Sequence, residues 1–152
     1  MPSIISNASC LIVLSNVGQL DILPGLYETI IITPEVTQEF GMPLPKWVQV
    51  IPVSDSYKIQ MLQGSLDLCE ASTIALAIET QNSLMILDDK KARRVARDLN
   101  LQLTGTLGVV AKAYKAGLIS DISKLIENLR NSNFRVPRNF ETIILNKDMS
   151  RE

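Results

Sequence analysis

The segment LMILDDKKARRVARDLN, residues 84–100, constrains the fold of this 152-residue chain more than any other. Its first four residues are apolar, and they lead directly into two adjacent carboxylates, Asp88 and Asp89. A short apolar run ahead of a helix is typical of a buried parallel strand. The basic segment that follows predicts a helix with one face packed on the sheet and one cationic face in solvent. The packed face comprises Ala92, Val95, Ala96 and Leu99, and the solvent face comprises Lys90, Arg93, Arg94 and Arg97.

Strand and helix patterns alternate along the whole chain. Strands are predicted at residues 3–6, 29–32, 47–53, 84–87 and 101–103. Helix N-caps are predicted at Ser9, Thr33, Asp67 and Asp88. The alternation predicts a single α/β domain over residues 1–152 with a mostly parallel sheet. No apolar run approaches the length of a membrane span and no leader pattern is present, so a soluble, cytoplasmic protein is expected.

The chain contains no histidine, which excludes several kinds of catalytic site. Ser-His and Cys-His catalysis and imidazole metal sites are all ruled out. Cys10 and Cys69 lie among apolar residues without a CxxC pair, so they are predicted to be buried free thiols. A metal site would therefore use oxygen ligands, which favour Mg²⁺ or Mn²⁺ over zinc.

The net charge of −1 conceals an uneven distribution along the chain. Residues 1–87 carry two basic and eight acidic side chains, a balance of −6. Residues 88–152 carry thirteen basic and eight acidic side chains, a balance of +5, and the two halves together give −1. An asymmetry of this kind indicates a nucleic-acid or protein partner.

Polar residues stand where predicted strands end or predicted helices begin. They are Asn7, Glu39, Glu70, Asp88 and Asp89, and Thr104 to Thr106. Because the carboxyl ends of parallel strands meet at one edge of the sheet, these oxygens could bind one or two divalent cations there. Each has a structural alternative. Asp67 and Glu70 fit a capping box, Asp88 fits an N-cap, Asn7 fits a turn, and Glu39 and the cationic stripe fit an ordinary solvated face.

Several motifs, taken in order, resemble a PIN domain. They are the SNAS that follows the first strand, then TPEVTQEF, LCEASTIALA, LMILDDKKARRVA and LTGTLGVV. More narrowly, they resemble the branch of VapC-type proteins whose core ends in a TGTLG-like turn. The resemblance implies a three-layer α/β/α sandwich, with a core of about residues 3–118 and a C-terminal helical extension of about residues 119–148.

The resemblance also implies site residues. The acidic positions of the family fall on Asn7, Glu39, Glu70 and Asp89, with Asp88 as the neighbouring alternative to Asp89. These residues would hold Mg²⁺ or Mn²⁺, and the carboxylates among them would be catalytic. Substrate-binding positions fall on Ser9, Thr104 and Thr106, and the stripe of Arg93, Arg94 and Arg97 would position an RNA backbone. Asn7 departs from the aspartate usual in the family, because an amide oxygen can bind Mg²⁺ but carries no charge.

The function implied by the resemblance is a divalent-metal-dependent endoribonuclease, the toxin component of a toxin–antitoxin pair. The implied partners are RNA, a small antitoxin protein and a second copy of the chain. The alternative is a non-catalytic PIN-fold module that binds RNA or protein, its site weakened by Asn7. A phospho-acceptor receiver domain fits less well, since receivers carry their acidic pair after the first strand.

Overall fold

A computed structural model describes the backbone of residues 1–150 and the side chains of residues 1–145. In this part of the chain, five strands form one sheet. They are β1 (Ser3–Ser6), β2 (Ile30–Ile32), β3 (Val48–Val50), β4 (Ser83–Ile86) and β5 (Gln102–Thr104). Their order in the sheet is β3-β2-β1-β4-β5, and every neighbouring pair is parallel.

Helices connect the strands and complete the chain. They are α1 (Ala8–Asn16), α2 (Ile22–Tyr27), α3 (Pro34–Phe40), α4 (Ser56–Gln63), α5 (Leu68–Glu79), α6 (Lys90–Asp98), α7 (Thr106–Lys115), α8 (Ile122–Asn131) and α9 (Phe140–Ser150). No helix within residues 1–150 has both the length and the apolar character that crossing a membrane requires.

Two apolar layers, one on each face of the sheet, hold the fold together. Alternate residues of a strand point to opposite faces, so Ile4 packs with α1, α2, α7 and α8, whereas Ile5 packs with α5 and α6. Burying an isoleucine fully, as for Ile5, contributes about 1.5–3 kcal/mol. The predicted three-layer α/β/α sandwich with a parallel sheet is confirmed.

The central helix α5 is buried on more than one side. Every residue from Ala71 to Ala77 is buried, including Ser72 and Thr73, because α5 lies between the sheet and its neighbouring helices. The hydroxyl groups of Thr33 and Ser72 lie 2.7 Å apart, so one buried polar group satisfies the other. This bond ties the start of α3 to α5.

Three local predictions were wrong. Asn7, not Ser9, occupies the N-cap position of α1, because the helix begins at Ala8, two residues earlier than a Ser9 cap would require. Asp89, not Asp88, caps α6 and accepts a hydrogen bond from the Ala92 amide at 3.0 Å. Leu99 lies beyond the end of α6 and is 43% exposed, so it does not complete the packed face.

Candidate active site

A cleft of about 410 Å³ opens at the carboxyl edge of the sheet, beside β1 and β4. The strand order reverses between these two strands, and open parallel sheets bind ligands at such a point. The cleft is lined by Asn7, Ala8, Ser9, Ile12, Glu39, Asp67, Leu68, Cys69, Glu70, Asp88 and Asp89. The structure thus brings together the four predicted carboxylates, Asn7 and Ser9. We call this site the carboxylate cleft.

Asn7 lies directly after β1, where its backbone amide bonds the Ile86 carbonyl at 3.0 Å. Its extended backbone (φ −76°, ψ 170°) fits an N-cap, yet its side chain makes no capping hydrogen bond. Only 6% of the residue is exposed, and its Oδ1 has no hydrogen-bond partner among the described residues. A buried polar atom in this state costs about 1–3 kcal/mol, which a bound cation or donor would offset.

Asp88 is held by three donors from two other elements. The Thr106 amide donates to its Oδ1 at 2.8 Å, and the Thr106 hydroxyl donates to its Oδ2 at 2.6 Å. The Ser9 hydroxyl donates to the same Oδ2 at 3.1 Å. Asp88 therefore links α1, the end of β4 and the start of α7. With its oxygens so engaged, it is a positioning group more readily than a ligand.

Asp89 and Glu70 each combine a helix cap with a place in the cleft. Asp89 caps α6 through Oδ2, and it is exposed. Glu70 forms the predicted capping box with Asp67: its amide donates to Asp67 Oδ1 at 2.8 Å, and its Oε1 accepts from the Asp67 amide at 3.3 Å. The structural and functional interpretations of Glu70 are therefore compatible, since the capping oxygen is Oε1 alone.

Burial and the acidic groups that crowd the carboxylate cleft raise the pKa of two of its side chains, Glu70 and Cys69. Burial, followed by the negative charge of Asp67, raises the pKa of Glu70, and Asp89 adds to the effect. Burial and nearby carboxylates, Glu39 first among them, raise the pKa of the Cys69 thiol to about 11. Like charges and partial burial both disfavour a carboxylate. A bound cation would relieve this repulsion.

Cys69 is the cleft residue that sequence reasoning missed. Both cysteines are free, as predicted, but only Cys10 is fully buried. Burial raises the pKa of Cys10 to about 12. Cys69 is half-buried, and its thiol donates to the Glu35 carbonyl at 3.5 Å. The one available signal was its position just before Glu70.

The donor set of the cleft fits a hard divalent cation. Carboxylate and amide oxygens are the ligands that Mg²⁺ and Mn²⁺ prefer, and the unpartnered Oδ1 of Asn7 supplies a buried one. Among the described residues, no group of three or more acidic, cysteine or histidine side chains is arranged as a ready-made metal site. Mg²⁺ keeps several waters and commonly takes only one or two protein carboxylates, so its binding does not require such a group.

The predicted substrate-binding residues are divided between surfaces. Arg93 was expected in solvent but is half-buried, and its guanidinium donates to the Leu87 carbonyl at 2.7 Å. Its pKa is lowered by burial and then by Arg97. Arg94 and Arg97 lie with Lys90 and Asp98 on the outer surface of α6, away from the carboxylate cleft.

Thr104 and Arg93 belong instead to a groove of about 840 Å³ beside the cleft, which we call the side groove. It is lined by Asp88, Asp89, Lys90, Arg93, Thr104, Gly105, Leu107, Gly108, Phe134, Arg135 and Pro137. Asp88 and Asp89 line both spaces, so the two adjoin each other at these residues. Phe134 and Arg135 were missed by the sequence analysis, although the segment FRVPR does place an aromatic side chain among cations.

Comparison with known proteins agrees with this geometry. A family model described as PIN domain matches residues 3–149. The chain therefore belongs to the PIN-domain family. No curated protein matches it. PIN domains are generally metal-dependent nucleases, so membership indicates a nuclease-type function with RNA as a substrate.

Proposed function

We propose that the protein is a divalent-metal-dependent endoribonuclease and the toxin component of a toxin–antitoxin pair. The observation that carries the metal-dependent part is the buried, unpartnered Oδ1 of Asn7 in a cleft lined by carboxylates. The toxin assignment depends on the resemblance of the SNAS, LCEASTIALA and TGTLG motifs to VapC-type proteins. Residues 1–152 are proposed to form one PIN-like domain, with its core at about residues 3–118 and a helical extension at about 119–148.

In the proposed site, Asn7, Glu39, Glu70 and Asp89 hold Mg²⁺ or Mn²⁺, directly or through water. When bound, such a cation lowers the pKa of a water and neutralises charge on a phosphoryl group. Glu70 contributes Oε2, because Oε1 is engaged by the Asp67 amide. Asp89 contributes Oδ1, because Oδ2 caps α6. Glu39, which is exposed on α3, completes the acidic wall.

Asp88 has a different role in this proposal. It orders the site through Ser9 and Thr106 and fixes the turn that precedes α7. Holding groups in the reacting geometry is a large part of catalysis in phosphoryl transfer. Arg93 stiffens the same region through the Leu87 carbonyl, and Arg94 and Arg97 extend a cationic surface along α6. The proposed substrate-binding set is completed by Thr104.

A second candidate function is a non-catalytic PIN module that binds RNA or a protein. Asn7 favours it, because the amide replaces one negative charge that a divalent ion would otherwise neutralise. The number of ligand charges is one of the properties that tune the affinity of such sites. The proposed partners are shared by both functions: RNA, a small antitoxin and a second copy of the chain, all in the cytoplasm.

The experiment is cleavage of a fluorescent RNA by the full chain with Mn²⁺ and with EDTA. Cleavage should require Mn²⁺ and should fall by roughly 10²-fold or more in Glu70→Gln, which keeps the capping box but removes the charge. Glu127→Gln is the matched control, since Glu127 is exposed on α8 and pairs with Lys124. RNA binding without cleavage in Mn²⁺ would favour the non-catalytic module.

The toxin assignment needs a separate test. Induced expression of the chain in a bacterial host should arrest growth, and Glu70→Gln should not. Co-expression of a small neighbouring gene should restore growth and yield a complex that co-purifies. Unimpaired growth on expression of an active nuclease would refute the toxin assignment while leaving the enzymatic one in place.

A further inference from the structure

The side groove extends the carboxylate cleft toward the C-terminal part of the chain. Its inner end is formed by Asp88 and Asp89, which also line the cleft. One wall comes from the first turn of α6 and the other from the segment between α8 and α9. A ligand lying in the groove would therefore reach the carboxylates at one end.

The electrostatic character changes from the cleft to the groove. The cleft carries Glu39, Asp67 and Glu70 in addition to the shared aspartates. The groove adds three cations to those aspartates, namely Lys90, Arg93 and Arg135. A phosphodiester chain is attracted to such cations, whereas the anionic cleft accepts a phosphate only together with a metal cation.

Phe134 is presented to the groove by a rigid turn. Asn133 adopts φ +64°, and the Phe134 and Asn133 amides bond the carbonyls of Leu129 and Arg130 at 3.0 and 3.1 Å. These are the two hydrogen bonds of a Schellman motif, which ends α8. Arg130 also donates to the Pro137 carbonyl at 2.9 Å and pairs with Glu141 at 3.4 Å. Hydrogen bonds thus hold this wall both before and after Phe134 in the chain.

We propose that the side groove binds a single-stranded segment of RNA, with one base stacked on Phe134 and the backbone phosphates beside Lys90 and Arg135. The strand would then continue past Asp88 and Asp89 into the carboxylate cleft. This inference builds on the proposed nuclease function and assigns it a substrate-binding groove outside the carboxylate cleft. Phe134 and Arg135 become specificity-determining residues located outside the cleft.

The aromatic residue is the reason for choosing a single strand. A base can stack on a protein ring only where its own neighbours leave its face uncovered, as in loops, bulges and single strands. In a duplex, both faces of each base are covered by adjacent pairs. Phe134 is partly buried against the core, which limits its movement, and it also lines the side groove, where a ligand can contact it.

The test measures binding separately from cleavage. A fluorescein-labelled ten-nucleotide RNA is titrated with the full chain in EDTA, and fluorescence anisotropy gives the Kd. Phe134→Leu retains an apolar side chain but removes the ring, and it should weaken binding roughly 5- to 150-fold. Phe134→Tyr should bind like the parent. A hairpin duplex of the same sequence should bind more weakly than the single strand.

The salt dependence tests the phosphate contacts. Lys90→Ala and Arg135→Ala should each flatten the slope of log Kd against log salt by roughly 0.7, the value for one phosphate contact with a single strand. Lys46→Ala is the matched control, since Lys46 is exposed in the segment between α3 and β3. Melting temperatures close to that of the parent show that each variant is folded. If Phe134→Leu unfolds, Lys90→Ala, Arg135→Ala and the comparison of the single strand with the duplex still decide the matter.

Several outcomes would overturn the inference. They are parent-like binding by Phe134→Leu, unchanged slopes in both cation variants, a preference for duplex, and no RNA binding by the parent. Binding with the expected dependence but no cleavage in Mn²⁺ would support the groove and refute the nuclease. If the parent cleaves RNA and Phe134→Leu binds and cleaves it equally well, the role of the side groove is refuted while the nuclease function stands.

Discussion

Replacing Asn7 with aspartate tests whether this residue belongs to a cation site. The side chain is 6% exposed, so a carboxylate here is largely desolvated and faces the negative charges of the carboxylate cleft. Both effects raise its pKa above the usual 3.9. A rise of one to three units corresponds to a loss of about 1.4–4 kcal/mol at neutral pH. At roughly 2–4 °C per kcal/mol, the metal-free melting temperature of Asn7→Asp should fall by about 3–15 °C.

The pH dependence of that loss has a definite sign. A group whose folded-state pKa is raised costs no stability below its unfolded pKa, and its penalty develops as pH rises through the folded value. The melting temperatures of the parent and Asn7→Asp in EDTA should therefore be equal near pH 3.5, and they should differ increasingly as the pH rises toward 7. Scanning calorimetry across this range provides the measurement.

Mn²⁺ should stabilise Asn7→Asp more than it stabilises the parent. The added negative charge should strengthen cation binding, and a tenfold lower Kd adds about 1.4 kcal/mol of stabilisation at saturating metal. The metal-induced rise in melting temperature should thus be larger in Asn7→Asp than in the parent by about 3–6 °C. Asn100→Asp is the matched control, because Asn100 is exposed and precedes β5 at the opposite edge of the sheet. Equal metal-induced shifts in Asn7→Asp and the parent would refute the placement of Asn7 in a metal site.

Three further predictions concern neighbouring positions. Asp89→Ala should lose about 1 kcal/mol of stability with or without metal, since it removes the cap on the Ala92 amide, whereas Asp89→Asn should keep the cap and lose only metal-induced stabilisation in paired melts. In metal-free buffer, burial and the charge of Asp67 raise the pKa of Glu70 above its ordinary 4.5, so the parent should lose stability relative to Glu70→Gln as pH rises through that raised value. Gly108→Ala should destabilise by about 1–3 kcal/mol, because a Cβ there would overlap the Thr104 hydroxyl, and adding Thr104→Ala should restore the loss in urea titrations.

The fold was predictable because apolar periodicity carries most of the information needed. β1, β4 and α5 are so apolar that only a buried position in a parallel sheet or beside it accommodates them. The same pattern predicted that carboxylates gather at the carboxyl edge, where the structure indeed places Glu39, Glu70, Asp88 and Asp89 in one cleft. Apolar periodicity within one element indicates which of its faces is buried and where it ends, whichever other elements pack against it.

The exchange of roles between Asp88 and Asp89 could not be predicted in this way. Either aspartate satisfies the rules for an N-cap, and the two differ only in what lies opposite them. Thr106, 18 residues away, and Ser9, 79 residues away, provide the donors that engage Asp88, and so Asp89 is left to cap α6. Leu99 is exposed because α6 ends before it, and Arg93 is half-buried because its guanidinium bonds the Leu87 carbonyl just after β4.

Phe134 illustrates a second kind of limit. It follows α8 in a turn whose left-handed residue is Asn133, and nothing local indicates that this turn reaches the start of α7. Their common position beside the side groove is a tertiary feature. An aromatic residue flanked by arginine is a weak signal by itself, and only the shared lining of the side groove gives it a functional meaning.

The hydrogen bonds on Asp88 also have a consequence for how the protein is made. Ser9 is synthesised early, Asp88 much later and Thr106 later still, yet all three are joined in the finished site. At 5–20 residues per second, roughly 5–20 s separate the synthesis of Ser9 from that of Thr106. Until residues 83–86 are made, β1 has no β4 to pair with, and until Thr106 is made, Asp88 lacks two of its three donors. The carboxylate cleft therefore cannot be completed before about two thirds of the chain has been synthesised.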